Sequence, residues 1–542
     1  MHERPKVCTA EGTVEGRRRR GLAVFRGIPY ARPPVGALRF AAPVPPRRWA
    51  GTRQAAEFGP VAPQSGPART TSPTSPTSPT SAGSTSSTSS ATSTTSATSA
   101  TSATSAVGPE SCDWLTLNVC TPDPGAAGLP VLVWIHGGAY IAGASSDPMY
   151  DPTAPAEAGL VVVSLNYRVG AEGFLFLDGA PPNRGLLDQI AALRWVRRNI
   201  AVFGGDPGNV TVAGQSAGAG SIAALLTMKP VRGLFRRAIT HSVPGSHCTP
   251  ALAEEVATAL AGRLGLSPTA AALRDVAPHV LADALTSLGA DLPRCRDEWG
   301  RLAQIGVAVC PVVDGHVLAE TPWPALTSGR ADGIELLVGH TRDEFRLFSV
   351  MSGRLGTFTE QDAHTALDLF APAPDGAAAY RAAHPQATPE QLCETVYSDA
   401  LFRMPSLQLA RANAAAGGTS YLFELQLASP AFGGRLGACH SLDVPLAFGT
   451  SGSGGPLLGD TPNLDAGTVA VSQELQRAWV RFAATGDPGW AAYAPDQQLT
   501  RVLDTESTTV PYPERASQRI WEGHAPPPFD IVRPHGFGPR LP

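Results

Sequence analysis

The chain has 542 residues, 43% of them hydrophobic, so it can form one large domain with insertions or several small ones. Its formal net charge of −4 does not favour binding to nucleic acid or to an anionic membrane. No run is long and apolar enough to span a bilayer, and residues 1–6 lead into no signal-peptide core. We therefore expect a cytoplasmic protein without nucleic-acid or membrane partners.

The eight cysteines are spread along the chain without any C-x-x-C pair. This spacing does not indicate a metal or redox centre. Because the sequence shows no export signal, we expect reduced thiols. Neither a metal nor a cofactor is expected.

Residues 70–106 are nearly pure Ser, Thr, Ala and Pro. Such a segment has too few bulky apolar side chains to offset the entropy lost on ordering, so we predict disorder. A long surface insertion costs little because loop-closure entropy grows slowly with length. We therefore expect one domain over residues 1–542 that carries residues 70–106 as a disordered insertion.

Outside this segment, short apolar runs alternate with stretches of helical spacing. The apolar runs predict buried strands at residues 130–135, 160–166, 209–213, 334–339 and 421–427. The helical patterns lie at residues 186–199, 249–300, 385–415 and 471–484. The basic run at residues 17–20 is predicted to be a solvated turn between two short strands. This order favours an α/β fold with a large, mostly parallel sheet covered by helices on both faces.

The pentapeptide Gly214-Gln215-Ser216-Ala217-Gly218 has the pattern G-x-S-x-G. It follows an apolar run and precedes small residues that can start a helix. In this context the motif predicts a nucleophile elbow, a tight turn that exposes a strained serine above the sheet. Ser216 is therefore the candidate nucleophile.

A serine hydroxyl needs a base, usually histidine, and an acid that orients the base. In the α/β-hydrolase arrangement the chain order is serine, acid, histidine. Glu344, after an apolar strand, and His440, on a small-residue loop, fit this order. Residue type alone does not isolate them, because the chain has twelve histidines and other acids compete. Asp343 competes on equal terms and Asp314 also lies downstream, whereas the upstream Asp188 and Asp206 fit poorly.

The reaction also needs backbone amides that point at the carbonyl oxygen as it gains charge. The segment His136-Gly137-Gly138-Ala139 directly follows a predicted strand and has the expected H-G-G pattern. A second donor is the amide that follows the nucleophile, that of Ala217. Two distant motifs that are useful only together are stronger evidence than either one alone.

Motifs along almost the whole chain outside residues 70–106 resemble the type B carboxylesterase/cholinesterase family, and within it the bacterial para-nitrobenzyl esterases. The resemblance is carried by residues 25–31, 33–36, 38–40, 115–119, 133–139, 166–168, 185–189, 203–207, 214–218, 311–315, 341–344, 437–440 and 482–488. It implies an α/β-hydrolase fold and a serine carboxylesterase that acts on small-molecule esters through an acyl-enzyme.

The family's site residues transfer to this chain motif by motif. The resemblance assigns the acid to Glu344 and the base to His440, with Ser216 as nucleophile. It assigns the oxyanion donors to the amides of Gly138, Ala139 and Ala217.

Four departures from the family pattern bear on the site. Gln215 stands where Glu is frequent, which removes a negative charge and makes a cationic alcohol such as choline less favoured. Trp114 stands where a cysteine is usual, and Cys112 lies two residues earlier, so the family's first disulfide has no clear partner. The insertion falls where the family has a loop at the mouth of the active site. Phe345 replaces a frequent Gly after the acid, which should be tolerable.

Two other readings stay open. The same residues could hydrolyse an amide, carbamate or lactone bond, or the chain could be a non-catalytic binding protein of this family. The sequence does not define the oligomeric state, and a monomer is expected.

Overall fold

A computed structural model describes residues 4–65, 112–450, 457–459 and 464–532. Its strands are β1 (Lys6–Cys8), β2 (Thr13–Glu15), β3 (Arg17–Arg19), β4 (Leu22–Pro29), β5 (Thr52–Gln54), β6 (Thr116–Thr121), β7 (Leu129–Ile135), β8 (Val161–Leu165), β9 (Gly205–Gln215), β10 (Arg237–His241), β11 (Glu335–Thr341), β12 (Ser420–Leu425), β13 (Leu499–Leu503) and β14 (Thr508–Pro511).

Within the described ranges, eleven strands form one sheet in the order β14-β13-β12-β11-β10-β9-β7-β8-β6-β4-β3. Pairing is parallel between neighbours in the central part of this order, from β13 to β8. Pairing is antiparallel at both edges, between β14 and β13 at one edge and among β8, β6, β4 and β3 at the other. A smaller sheet contains β1, β2 and β5. The carboxyl ends of the central parallel strands therefore meet at one edge, where ligands of open α/β sheets bind.

The helices fill the connections. They are α1 (Thr153–Glu157), α2 (Gly170–Phe174), α3 (Arg184–Asn199), α4 (Ala217–Thr227), α5 (Pro250–Arg263), α6 (Ala270–Leu273), α7 (Pro278–Asp291), α8 (Arg296–Ile305), α9 (Pro322–Thr327), α10 (Arg346–Met351), α11 (Glu360–Phe370), α12 (Gly376–Ala383), α13 (Pro389–Ser398), α14 (Met404–Ala415), α15 (Asp443–Phe448), α16 (Ala466–Thr485) and α17 (Arg515–Ile520). No helix within the described ranges is long and apolar enough to cross a membrane.

The central sheet is apolar on both faces, and each face carries its own core. Along β7, Val131, Val133 and Ile135 join one cluster, whereas Leu132 and Trp134 join the other. This division follows from the two-residue repeat of a strand. The first core includes side chains of α3 and α4, and the second includes side chains of α15 and α16. The near-continuous apolar runs in the sequence are therefore explained by burial on two sides.

The structure confirms most of the predicted elements. The five predicted strands correspond to β7, β8, β9, β11 and β12, and the four helical patterns correspond to α3, α5–α8, α13–α14 and α16. The prediction for residues 17–20 was wrong in part. Arg17–Arg19 form the edge strand β3, and only Arg20 and Gly21, both with positive φ, make the turn. Charged side chains are typical of an edge strand because they discourage pairing with another chain.

The predicted disordered insertion at residues 70–106 lies outside the described residues.

Candidate active site

Ser216 lies between β9 and α4, at the carboxyl end of a central strand. Its backbone has φ 54° and ψ −126°, a strained conformation for a residue other than glycine. Its amide donates to the carbonyl of His241 on the neighbouring β10 at 2.9 Å, and its carbonyl accepts from Gly220 at 2.9 Å. The sheet and the helix thus fix the strained serine from both sides, as the elbow motif predicts.

The two glycines of the elbow allow α4 to pack against β7. A Cβ on Gly218 would lie 2.0 Å from the carbonyl oxygen of Ile135. A Cβ on Gly214 would lie 2.8 Å from the carbonyl carbon of Gly218. Both distances are far below van der Waals contact, so only glycine fits at either position.

His440 lies on the loop between β12 and α15. Its Nδ1 is 2.5 Å from Oε2 of Glu344. The residue is 3% exposed, and its ring packs against Phe402 and Phe348, with ring centroids 4.3 Å and 5.3 Å away. The structure therefore brings the two residues that the family resemblance selected into direct contact.

Glu344 is fully buried just after β11, and its Oε1 accepts from the amide of Thr341 at 2.9 Å. Its neighbour Asp343 turns elsewhere. An oxygen of Asp343 accepts from the amide of Ala438 at 2.8 Å, and the carboxylate pairs with Arg342. Asp343 therefore holds the loop that carries the histidine but does not contact the ring.

The other acids considered from the sequence have structural partners. Asp188, in α3, pairs with Arg168. Asp206 accepts from the amide of Gly208, and Asp314 accepts from the amides of Val317 and Leu318. These three carboxylates stabilise other parts of the fold, and their hydrogen bonds and ion pairs do not involve His440.

The segment after β7 forms a loop beside Ser216. Gly138 has φ 117° and Ala139 has φ 52°. Within the described part of the chain, the amides of Gly138 and Ala139 donate to no protein group. Ala217 is the first residue of α4, where an amide has no acceptor within the helix. The three amides are thus free to bind an anionic oxygen, and their residues line the same cavity as Ser216.

The side chain of Gln215 turns toward His440, which the sequence did not predict. Its side-chain Nε2 is 2.9 Å from Nε2 of His440, the ring nitrogen that a nucleophilic serine would use. The sequence flagged Gln215 only as a missing charge. No sequence signal reports which way its side chain turns.

A cavity of about 710 Å³ opens above these groups. Its floor includes Ser216 and His440 as well as the residues of the amide loop. One wall is apolar and is made of Ile305, Val307, Phe345, Phe348, Phe358 and Phe402. These wall residues come from distant elements, so no local sequence pattern identified them.

Within the described residues, no group of three or more His, Cys, Asp or Glu side chains is arranged to hold a metal ion. The eight cysteines are free thiols, and Cys112 is among them. Two buried thiols, Cys248 and Cys310, lie 2.7 Å apart between their sulfur atoms, and burial raises the pKa of Cys310 above its usual range.

Comparison with known proteins gives a consistent result. The sequence model of the Carboxylesterase family matches residues 3–518. The para-nitrobenzyl esterase of Bacillus subtilis (strain 168) is 35% identical over 94% of this chain and 96% of its own length. The phenmedipham hydrolase of Pseudarthrobacter oxydans is 32% identical over 94% of this chain and 97% of its own length.

Solved structures agree with this match. A carboxylesterase of Geobacillus stearothermophilus, determined at pH 6.2, has a TM-score of 0.79 at 32% identity, covering 96% of this chain and all of that one. A para-nitrobenzyl esterase structure gives the same TM-score and identity, covering 96% of this chain and 99% of that one. These likenesses confirm the α/β-hydrolase fold and the family resemblance that the sequence predicted.

Proposed function

The chain belongs to the carboxylesterase family and is a carboxylic ester hydrolase, and we propose that it works as a serine esterase through Ser216, His440 and Glu344. The observation that carries the proposal is that Ser216 and His440 line one cavity and that Glu344 contacts the ring of His440. Glu344 holds Nδ1 of His440 at 2.5 Å, and Ser216 lines the same cavity as His440.

The proposed reaction has two halves. In the first, Ser216 Oγ attacks the ester carbonyl while Nε2 of His440 takes the hydroxyl proton. His440 then gives this proton to the leaving alcohol, and an acyl-enzyme remains on Ser216. In the second half a water molecule, deprotonated by His440, attacks the acyl-enzyme and releases the carboxylic acid. Glu344 keeps the ring oriented and stabilises its cationic form throughout.

The amides of Gly138, Ala139 and Ala217 are the proposed oxyanion hole. An oxyanion hole stabilises the tetrahedral intermediate because its donors are already oriented where charge develops. Support comes from the loop geometry, since the amides of Gly138 and Ala139 have no protein partner in the described residues.

The cavity favours small-molecule esters with an apolar acyl or alcohol group. Its wall presents aromatic and aliphatic side chains, and the residue before the nucleophile is the neutral Gln215. Burial of an apolar group there contributes roughly 25 cal/mol for each square ångström removed from water. We therefore expect para-nitrophenyl butyrate to have a lower KM than para-nitrophenyl acetate.

The proposal is tested by hydrolysis of these two esters by the wild type and by the Ser216→Ala variant. The variant should lose about three to six orders of magnitude in kcat while its thermal unfolding stays unchanged. Ser246→Ala, a second serine of the same cavity, is the matched control and should retain activity. Full activity in Ser216→Ala would refute the assignment of the nucleophile.

A further inference from the structure

The side-chain amide of Gln215 contacts Nε2 of His440, the nitrogen that accepts the serine proton in the proposed mechanism. Gln215 is the last residue of β9, directly before Ser216, and is 4% exposed. Its Nε2 lies 2.9 Å from Nε2 of His440. Its Oε1 turns the other way and lies 3.1 Å from the place where a Cβ on Gly137 would stand. The structure thus presents Nε2, the donor of the amide, to the ring.

The geometry selects one protonation state of His440. Nδ1 faces the Glu344 carboxylate, which can only accept when ionised, so Nδ1 carries a proton. An amide NH₂ can only donate, so the contact with Gln215 requires an unprotonated Nε2. A hydrogen bond made to the neutral form of a group disfavours its charged form.

We propose that Gln215 is a positioning residue that holds His440 as a neutral base in the resting enzyme and thereby extends esterase activity to lower pH. This inference rests on the proposed function, in which His440 must be unprotonated to accept the serine proton. At the start of a turnover the Ser216 hydroxyl replaces the carboxamide at the single lone pair of Nε2.

Gln215 provides the hydrogen bond to Nε2 of His440, and the other groups around the ring make different contacts. Glu344 is the one carboxylate on the ring among the described residues. The segment before α14 and helix α10 present the rings of Phe402 and Phe348. Arg354 and Asp362 line the same cavity and pair with each other. Charged groups of the adjoining segments also pair: Asp343 with Arg342, Asp399 with Arg403, Arg346 with Glu394, and Asp443 with His241. Burial raises the pKa of the adjacent Cys439 thiol, so it stays neutral.

Two substitutions separate charge from hydrogen bonding. Gln215→Glu has nearly the same shape but places a carboxylate against Nε2, which favours the protonated ring. Gln215→Met keeps the length of the side chain but removes the donor without adding charge. The matched control is Gln304→Glu, because it adds the same charge to the same cavity at a residue whose amide binds Tyr397.

The measurement is kcat/KM for para-nitrophenyl butyrate from pH 5 to 10, corrected for spontaneous hydrolysis and expressed for each variant relative to its own plateau. The acidic limb is the fall of kcat/KM below this plateau as the pH decreases. The acidic limb should move up by about one to three pH units in Gln215→Glu, the range for an opposite charge in contact. It should move up by roughly half a unit in Gln215→Met, the equivalent of one neutral hydrogen bond. Gln304→Glu should move it by less than Gln215→Glu.

The same limb should appear in the rate at which a fluorophosphonate labels Ser216, which needs the base but no ester substrate. A downward shift in Gln215→Met would overturn the proposal, because it would place Oε1 rather than Nε2 at the ring. An equal loss of activity at every pH in both variants, with the limb unmoved, would also overturn it and indicate a purely structural role. Activity in Ser216→Ala, by contrast, would refute the proposed function itself.

Discussion

At the scale of single residues, two adjacent carboxylates after β11 do different work. Glu344 accepts from Nδ1 of His440, whereas Asp343 accepts from the amide of Ala438 and so anchors the loop that carries this ring. The sequence alone could not separate them, because both are acids at the end of the same strand. The difference depends on which side chain turns inward, and only the family resemblance predicted the outcome.

The Glu344→Gln variant tests this division. Gln keeps the size of the side chain but loses the charge that orients the ring and stabilises its cation. We expect kcat to fall by about ten-thousand-fold, with little change in thermal unfolding. Asp343→Asn is the matched control and should chiefly lower the unfolding temperature. Equal losses of kcat in the two variants would contradict the assignment of Glu344 as the acid.

At the scale of elements, the elbow depends on close backbone contact. A Cβ on Gly218 would lie 2.0 Å from the carbonyl oxygen of Ile135, so Gly218→Ala must push α4 away from β7. Overpacking of this kind typically costs about 1–3 kcal/mol, and here it also moves Ser216. We expect a lower unfolding temperature together with loss of esterase activity, measured by thermal denaturation and by ester hydrolysis.

The control for this substitution is Gly262→Ala in α5, where a Cβ would meet no atom within 4 Å. Alanine is favoured over glycine inside a helix by about 0.5–1 kcal/mol, so this variant should be slightly more stable and fully active. A Gly218→Ala variant as stable and active as Gly262→Ala would contradict the packing described for the elbow.

A buried ion pair joins α3 to the segment after β8. Arg168 and Asp188 are both fully buried, and their side chains form two hydrogen bonds, Nε to Oδ2 at 2.8 Å and Nη2 to Oδ1 at 2.7 Å. The backbone amide of Arg168 also donates to Oδ2 at 3.0 Å. Asp188→Asn leaves the arginine charge without its counter-charge, which typically costs about 3–5 kcal/mol. We expect a large drop in the free energy of unfolding, measured with urea. Asp291→Asn, in the exposed pair with Arg263, should have a much smaller effect.

Some parts of this structure could be predicted from sequence patterns and others could not. Most central strands and helices were predictable because burial on two faces gives continuous apolar runs and burial on one face gives helical spacing. The central strand β10 was not predicted, because three of its five buried residues, Arg237, Thr240 and His241, are polar or charged. The edge strand β3 was missed because its side chains are exposed arginines and carry no apolar signal. The cavity wall and the contact between Gln215 and His440 were not predictable, because they depend on the meeting of distant segments and on side-chain orientation.

At the scale of the whole molecule, we propose that residues 1–542 form one catalytic domain. Strands from the start of the chain, β3 and β4, close one edge of the main sheet, and the late strands β13 and β14 close the other. Removal of either end would therefore expose the edge of a shared sheet. This arrangement supports a single cooperative unit.

Replacing residues 70–106 by a Gly-Ser linker tests the proposal that this segment is an insertion. Because loop length has a weak effect on closure entropy, we expect the unfolding temperature to stay close to that of the full chain. We also expect kcat/KM for para-nitrophenyl butyrate to stay within about twofold, since a change of that size is under 0.5 kcal/mol. A large change in kcat/KM at unchanged stability would instead indicate that the segment shapes access to the cavity.

The most direct test of the central claim is to label the protein with a fluorophosphonate and map the modified peptide by mass spectrometry. We expect one label per chain, on Ser216, with no label in Ser216→Ala and much slower labelling in His440→Ala. A label on another residue, or an unlabelled Ser216 in an enzyme that hydrolyses esters, would contradict the central claim.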